Sequence, residues 1–423
     1  VSSADPCETW SAQDAERHLL ARERFGMRFG LDRMHRLLNV LELPSVSYPT
    51  IHVVGTNGKS STTRMIAALL AREGLRVGCF TSPHLLSYRE RIQLDEHDIE
   101  PARFGAAVAR TVRAAELVDR TASPAGDVVT QFELLTAAAL CEFEAAGVDV
   151  AVLEAGLGGR YDATNIVDSR VAVLTNVGLE HTRYLGPTVV DIAREKLDVV
   201  RAGATLVVGV DLDPDALALA RSTAAERGAT LEEAKAQVDV ELRSGGGYQR
   251  RNFAAAASAA RAFLGRALDP AQIAEVAGSL VVRGRFEVLD GRPVTLLDGA
   301  HNDGGIEALA ESLPAFTAGR RLVGVVSILD DKDAGGMLAR LLLHCDALVC
   351  TACTSPRALP AATLASLAGQ IGGAAATVVM GPHRALARAR ELAGDDGVVL
   401  ATGSIYLISD LLRPEGAGGG SRL

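Results

Sequence analysis

Thr50-Ile51-His52-Val53-Val54-Gly55-Thr56-Asn57-Gly58-Lys59-Ser60-Ser61 is an apolar run that breaks into a glycine turn, then a lysine and two hydroxyls. Residues 50–55 read as a short buried strand, and residues 59–72 carry a helical pattern. Backbone N–H groups in such a turn, together with the N-terminus of the following helix, form a cradle for phosphate oxygens. Lys59 is placed to neutralise β- and γ-phosphates, and the hydroxyl of Ser60 or Ser61 to meet Mg²⁺. The loop is not a full Walker A sequence, because Val53 stands where the first glycine belongs. A further apolar run at 75–80 completes a strand-turn-helix-strand unit, the opening of a parallel sheet.

The pattern extends in both directions. Upstream, helices are expected over 14–22 and 31–41, the second with Leu31, Met34, Leu37, Leu38 and Leu41 on one face. Pro44 and Pro49 end this lead-in. Downstream, strands at 148–153, 171–175 and 205–210 alternate with helices at 132–146, 189–201 and 213–227. Residues 229–247 read as a small polar or antiparallel excursion ending in Ser244-Gly245-Gly246-Gly247, before helices at 252–264 and 270–279. A second alternation follows, with strands near 294–297, 321–327, 346–351, 376–380 and 397–401. The expectation is an α/β protein with a large domain over 1–284, a smaller doubly wound domain over 285–413 and a disordered glycine-rich tail over 414–423.

Composition agrees with two packed domains. Among 423 residues, 48% are hydrophobic, 22% charged and only 4% aromatic, which suits helices on a buried parallel sheet. The net charge of −9 excludes a general nucleic-acid surface, so an anionic substrate must be caught by local positive groups. The six cysteines are scattered, and the lone pair Cys350 and Cys353 has no partner set for zinc, so buried thiols are expected. No run reaches the length of a membrane span and no signal-peptide stretch is visible, so the expected location is the cytoplasm.

Beyond the loop, candidate chemistry gathers at strand ends. Glu154 closes an apolar strand, where open α/β sheets place their ligands, and a carboxylate there is a natural magnesium ligand. His181, just past another strand end, follows Glu180. Six motifs in order carry a resemblance: Gly55-Thr56-Asn57-Gly58-Lys59; Thr81-Ser82-Pro83-His84-Leu85; Phe132-Glu133 with Thr136; Glu154-Ala155-Gly156-Leu157-Gly158-Gly159-Arg160 with Asp162-Ala163-Thr164-Asn165; Glu180-His181 with Glu195-Lys196; and Asp298-Gly299-Ala300-His301-Asn302. Together they resemble the folate branch of the Mur ligase superfamily, the folylpolyglutamate and dihydrofolate synthases. The cell-wall branch shares the loop but not the Thr81 and Glu154 segments. A non-catalytic paralogue would not be expected to keep Lys59, Glu154, His181 and Lys196.

The resemblance implies a P-loop parallel-sheet domain followed by a smaller Rossmann-like domain. It implies ATP-dependent ligation of L-glutamate to a folate or dihydropteroate carboxylate through an acyl-phosphate, using ATP and two Mg²⁺ ions; a monomer is the default expectation. By the same resemblance, Thr56, Asn57, Gly58, Lys59, Ser60 and Ser61 hold ATP phosphates, and Ser82, Glu154 and His181 hold magnesium. Lys196 carries CO₂ as a carbamate. Asn252 meets adenine, Arg285 and Asp298 reach ATP, and His301 faces the glutamate and γ-phosphate side. Pterin recognition falls to Thr130, Gln131, Phe132, Glu133, Tyr161, Asp162 and Ala163. Ser60, Arg283 and Asp303-Gly304 depart from the usual pattern without removing a reacting group, and Arg28 occupies a position that bears on acceptor choice.

Overall fold

The computed structural model describes residues 10–22, 30–121, 127–235 and 240–415. Arg28 and the tail beyond residue 415 lie outside the described residues. Two compact units are distinguished. The first takes the chain up to residue 235 and then Asn252–Val276; the second takes 240–251 and continues from Ala277. This division falls earlier than the boundary expected at 284. The reason is local: Arg243 N donates to Ala277 O and Ser244 Oγ to Leu280 O, which ties both segments into one unit.

The first unit is built on eight strands: β1 Thr50–Val54, β2 Val77–Phe80, β3 Ile92–Leu94, β4 His97–Asp98, β5 Val150–Glu154, β6 Ser169–Leu174, β7 Thr205–Val208 and β8 Thr230–Glu233. Their order is β4-β3-β2-β5-β1-β6-β7-β8, parallel except for β3 and β4. β8 corrects the excursion expected there, because it joins the edge parallel to β7. β1, β2 and β5 are buried along their whole length, so they read as unbroken apolar runs and not as alternation. From β1 the chain crosses to β2 on one side, and from β5 it crosses to β6 on the other. Adjacent β1 and β5 therefore mark a topological switch point, and a crevice opens at their carboxyl ends.

The helix Lys59–Arg72 starts from Gly58, which adopts a left-handed conformation (φ +83°), and buries Met65, Ile66, Leu69 and Leu70 against the sheet. A long helix, Pro101–Arg120, was not anticipated; it packs Phe104, Val108, Val112 and Val118 with the helices Ala12–Ala21, Asp32–Val40 and Gln131–Ala146 over Phe80 and Leu153. Helix Val189–Leu197 ends four residues before the limit expected at 201. The second unit holds β9 Glu287–Leu289, β10 Val294–Leu297, β11 Leu322–Val326, β12 Ala347–Cys350, β13 Ala375–Val378 and β14 Val398–Thr402, in the order β13-β12-β11-β14-β10-β9. All but β9 are parallel. The five described cysteines are buried and free, Cys350 and Cys353 among them. No described helix is long and apolar enough to cross a membrane.

Candidate active site

The carboxyl ends of β2, β5, β1 and β6 bring together Ser82, Glu154, the loop 55–59 and the segment 175–178. Glu154 is buried at 1% exposure. Its Oε1 accepts from Ser60 Oγ at 2.8 Å and its Oε2 from Ser82 N at 2.9 Å, while Ser60 Oγ also lies 3.3 Å from Ser82 O. Ser60, not the buried Ser61, supplies the hydroxyl at this carboxylate. A carboxylate, a hydroxyl and a carbonyl oxygen are hard donors, and they fit a magnesium-type cation that keeps its other positions for phosphate and water. His181 stands half exposed at the start of Thr182–Leu185, 3.9 Å from Glu180 Oε1. Among the described residues no three His, Cys, Asp or Glu side chains group closely enough to hold a metal.

The loop is held from behind by 175–178. Thr56 N donates to Asn176 O at 3.0 Å, and Asn57 N to Asn176 Oδ1 at 2.8 Å. Thr175 Oγ1 donates to Asn57 O at 2.6 Å, and Thr56 Oγ1 receives Gly178 N at 3.0 Å. Two of the backbone N–H groups expected to cradle phosphate are thus already spent. The donors left for an anion are the first N–H groups of the helix, at Gly58, Lys59 and Ser60. Gly55 admits no side chain here, since a Cβ would fall 1.9 Å from Thr175 Oγ1. Asn252 belongs to the same unit, and its amide sits 2.4 Å from where a Gly58 Cβ would stand. It lies inside the helix Gly247–Leu264 and does not open it, which corrects its expected position.

Two lysines converge on one carbonyl. Lys59 Nζ donates to Gly55 O and Thr56 O, both at 3.1 Å, and Lys196 Nζ donates to Gly55 O at 2.8 Å. Lys196 is only 3% exposed. Burial, then repulsion from Lys59, bring its pKa down to about 7 against the opposing pull of Glu180 and Asp162. The glycine-rich signature reaches the same helix: Arg160 N donates to Glu195 O at 2.9 Å, and a Cβ on Gly159 would lie 2.6 Å from that oxygen.

Several residues expected on an acceptor surface are turned inward. Glu133 caps its own helix through Thr130 and pairs with buried Arg33 at 3.0 Å, so its carboxylate is structural in this conformation. Gln131 is buried and donates to Leu19 O and Tyr88 OH. Asp162 accepts from Leu157 N, Thr164 N and Thr164 Oγ1, and burial still pushes its carboxyl above the usual range. Ala163 is buried beside it. Phe132 is half buried, packed between Phe80 (5.9 Å between rings) and Gly156. Tyr161 alone of this set is exposed, at 42%.

In the second unit, Asp298 follows β10 and is 2% exposed. It accepts from Phe286 N at 2.9 Å, Ala300 N at 2.8 Å and Tyr248 OH. Burial raises its pKa, opposed by Tyr248 and Arg285. These internal bonds make Asp298 the anchor of the turn carrying half-buried Arg285, which lies against Gly299. His301 Nδ1 donates to Gly299 O at 2.9 Å. Gln249 is spent on Arg285 O. Tyr248, Asn176 and Arg33 escaped the sequence reading. His52 escaped it too, although a histidine inside an apolar strand is a legible signal.

Residues 53–230 match the Mur ligase middle domain, and residues 284–405 match the Mur ligase glutamate ligase domain. The chain is 35% identical over 383 residues to a dihydrofolate synthase/folylpolyglutamate synthase of Mycobacterium tuberculosis, covering 80% of this chain and 77% of that protein. It superposes on the M. tuberculosis folylpolyglutamate synthase complexed with ADP with a TM-score of 0.87 and 32% identity, over 94% of this chain and 96% of that one. The Yersinia pestis bifunctional folylpolyglutamate synthase/dihydrofolate synthase complexed with AMPPNP and Mn ion gives 0.82 and 29%, over 96% and 98%.

Proposed function

Because the chain belongs to the Mur ligase family, in its dihydrofolate synthase/folylpolyglutamate synthase branch, we propose that it joins L-glutamate to the carboxylate of a folate or a dihydropteroate at the expense of ATP. The observation that carries this reading is the contact of Ser60, on the phosphate loop, with the buried carboxylate of Glu154, beside two lysines on one loop carbonyl. That arrangement suits phosphoryl transfer.

ATP phosphates lie against the N–H groups of Gly58, Lys59 and Ser60, with Lys59 swinging from its loop carbonyls onto the anion. Asn252 borders the nucleotide. The acceptor carboxylate attacks the γ-phosphorus, ADP leaves, and an acyl-phosphate results. Lys59 stabilises the charge spread over the transferring group, and Arg285 is a cation that the second unit offers to phosphate. The neutral amine of glutamate then attacks the acyl carbon; phosphate leaves, the amine gives up its proton, and an amide forms. His301 is the second unit's candidate contact for glutamate. Glu154, Ser60, Ser82 and His181 would hold divalent cation, which when bound neutralises phosphate charge. Tyr161, Phe132 and Ala163 border the pterin.

Lys196 carries a carbamate in this reading. A pKa near 7 leaves a large neutral fraction at physiological pH, and only the neutral amine attacks CO₂, losing one proton as the carbamate forms. An anion there would also remove one of two cations from the Gly55 carbonyl. The decisive test is phosphate release from ATP with glutamate and each acceptor in turn. Release that needs glutamate and dihydropteroate, or glutamate and a tetrahydrofolate, assigns the acceptor; release that ignores glutamate, or survives Lys59→Ala, overturns the reading.

A further inference from the structure

His52 stands three residues before Gly55 on β1 and is fully buried. Its Nε2 lies 2.7 Å from Thr164 Oγ1, and that hydroxyl donates to Asp162 Oδ1 at 2.5 Å. With the hydroxyl proton spent on the carboxylate, the hydroxyl accepts from the imidazole, and this places the ring proton on Nε2. Nδ1 is then a bare acceptor, and it has no hydrogen-bond partner among the described residues. An unsatisfied acceptor in the core is a standing loss of stability, which an aliphatic side chain of similar size would not carry. Packing therefore does not account for a histidine here; the bond made by Nε2 does.

That bond reaches the loop 157–164. Asp162 fastens the loop at both ends, accepting from Leu157 N at 2.8 Å and from Thr164 N at 3.0 Å. Between these points Gly159 and Arg160 rest on the helix of Lys196, and Tyr161 stands exposed. We propose that His52 is a positioning residue: through Thr164 and Asp162 it sets the loop that presents Tyr161 to the pterin-bearing acceptor, so that a side chain under the sheet governs acceptor binding without touching it. This rests on the reading of Tyr161 as an acceptor contact.

The test is steady-state kinetics of His52→Leu, His52→Gln, Thr164→Val and Tyr161→Ala, with KM measured for acceptor and for ATP. His52→Leu should raise the acceptor KM about tenfold, the scale of one lost hydrogen bond. The ATP KM should stay within about twofold, and the thermal midpoint should not fall, because the orphaned nitrogen is gone. His52→Gln, which returns an amide N–H near the same point, should recover most of the loss, and Thr164→Val should reproduce it. Equal changes in both KM values overturn the proposal, as does an unchanged acceptor KM in His52→Leu while Tyr161→Ala raises it. If Tyr161→Ala also leaves the acceptor KM unchanged, the acceptor reading itself falls and takes the proposal with it. Should His52→Leu fail to fold, Thr164→Val decides alone by the same split.

Discussion

Lys196→Met removes the buried ammonium while keeping most of its apolar stem. The folded-state pKa of about 7 lies below the ordinary 10.5, so between those values the unfolded chain binds more protons at this site than the folded one. Wild-type stability therefore rises with pH across that window, and the burden is fully present below about pH 7. From the two pKa values the burden is about 4 kcal/mol at pH 7 and about 2 kcal/mol at pH 9. The variant escapes it but loses the bond to Gly55 O, worth about 1 kcal/mol. Lys196→Met should thus exceed wild type by about 3 kcal/mol at pH 7 and about 1 kcal/mol at pH 9, while losing turnover. Urea unfolding at both pH values in CO₂-free buffer reads the margin. Bicarbonate should then stabilise the wild type and leave the variant unmoved. Margins that do not change with pH would refute the depressed lysine, and a wild type indifferent to bicarbonate, in labelled bicarbonate showing no carbamate carbon by NMR, would refute the modification.

Gly159→Ala puts a methyl 2.6 Å from Glu195 O and 2.8 Å from Lys196 O, where only backbone can yield; it should cost about 1–3 kcal/mol and lower kcat by displacing the Lys196 helix, read by thermal melts and turnover. Asn176→Ala removes the acceptor that holds Asn57 N, and should raise the ATP KM about tenfold with the acceptor KM unchanged; the reverse split would contradict the buttress role. Arg285→Ala should lower kcat about 10²-fold with nucleotide Kd nearly unchanged, and a loss confined to nucleotide affinity would remove it from the transition state.

The chain's own pattern fixes much of this protein. The helices Lys59–Arg72 and Pro270–Ser279 fall at the limits read from periodicity, and β10 spans Val294–Leu297 as expected, because apolar spacing and turn residues act over a few neighbours. The meeting of Ser60 with Glu154 was legible for the same reason: each stands at a strand or helix end, and a parallel sheet aligns those ends. Packing alone decided the rest. Glu133 looked like a substrate contact until Arg33, one hundred residues away, paired with it. Asn176 has no local mark, yet it occupies two N–H groups of the phosphate loop 119 and 120 residues back. Lys196 has the local pattern of an ordinary helix lysine and is marked only by the family resemblance; its depressed pKa arises when burial and Lys59 close around it. Desolvation and partner choice depend on what the fold brings within a few ångströms, and sequence separation carries no record of that distance.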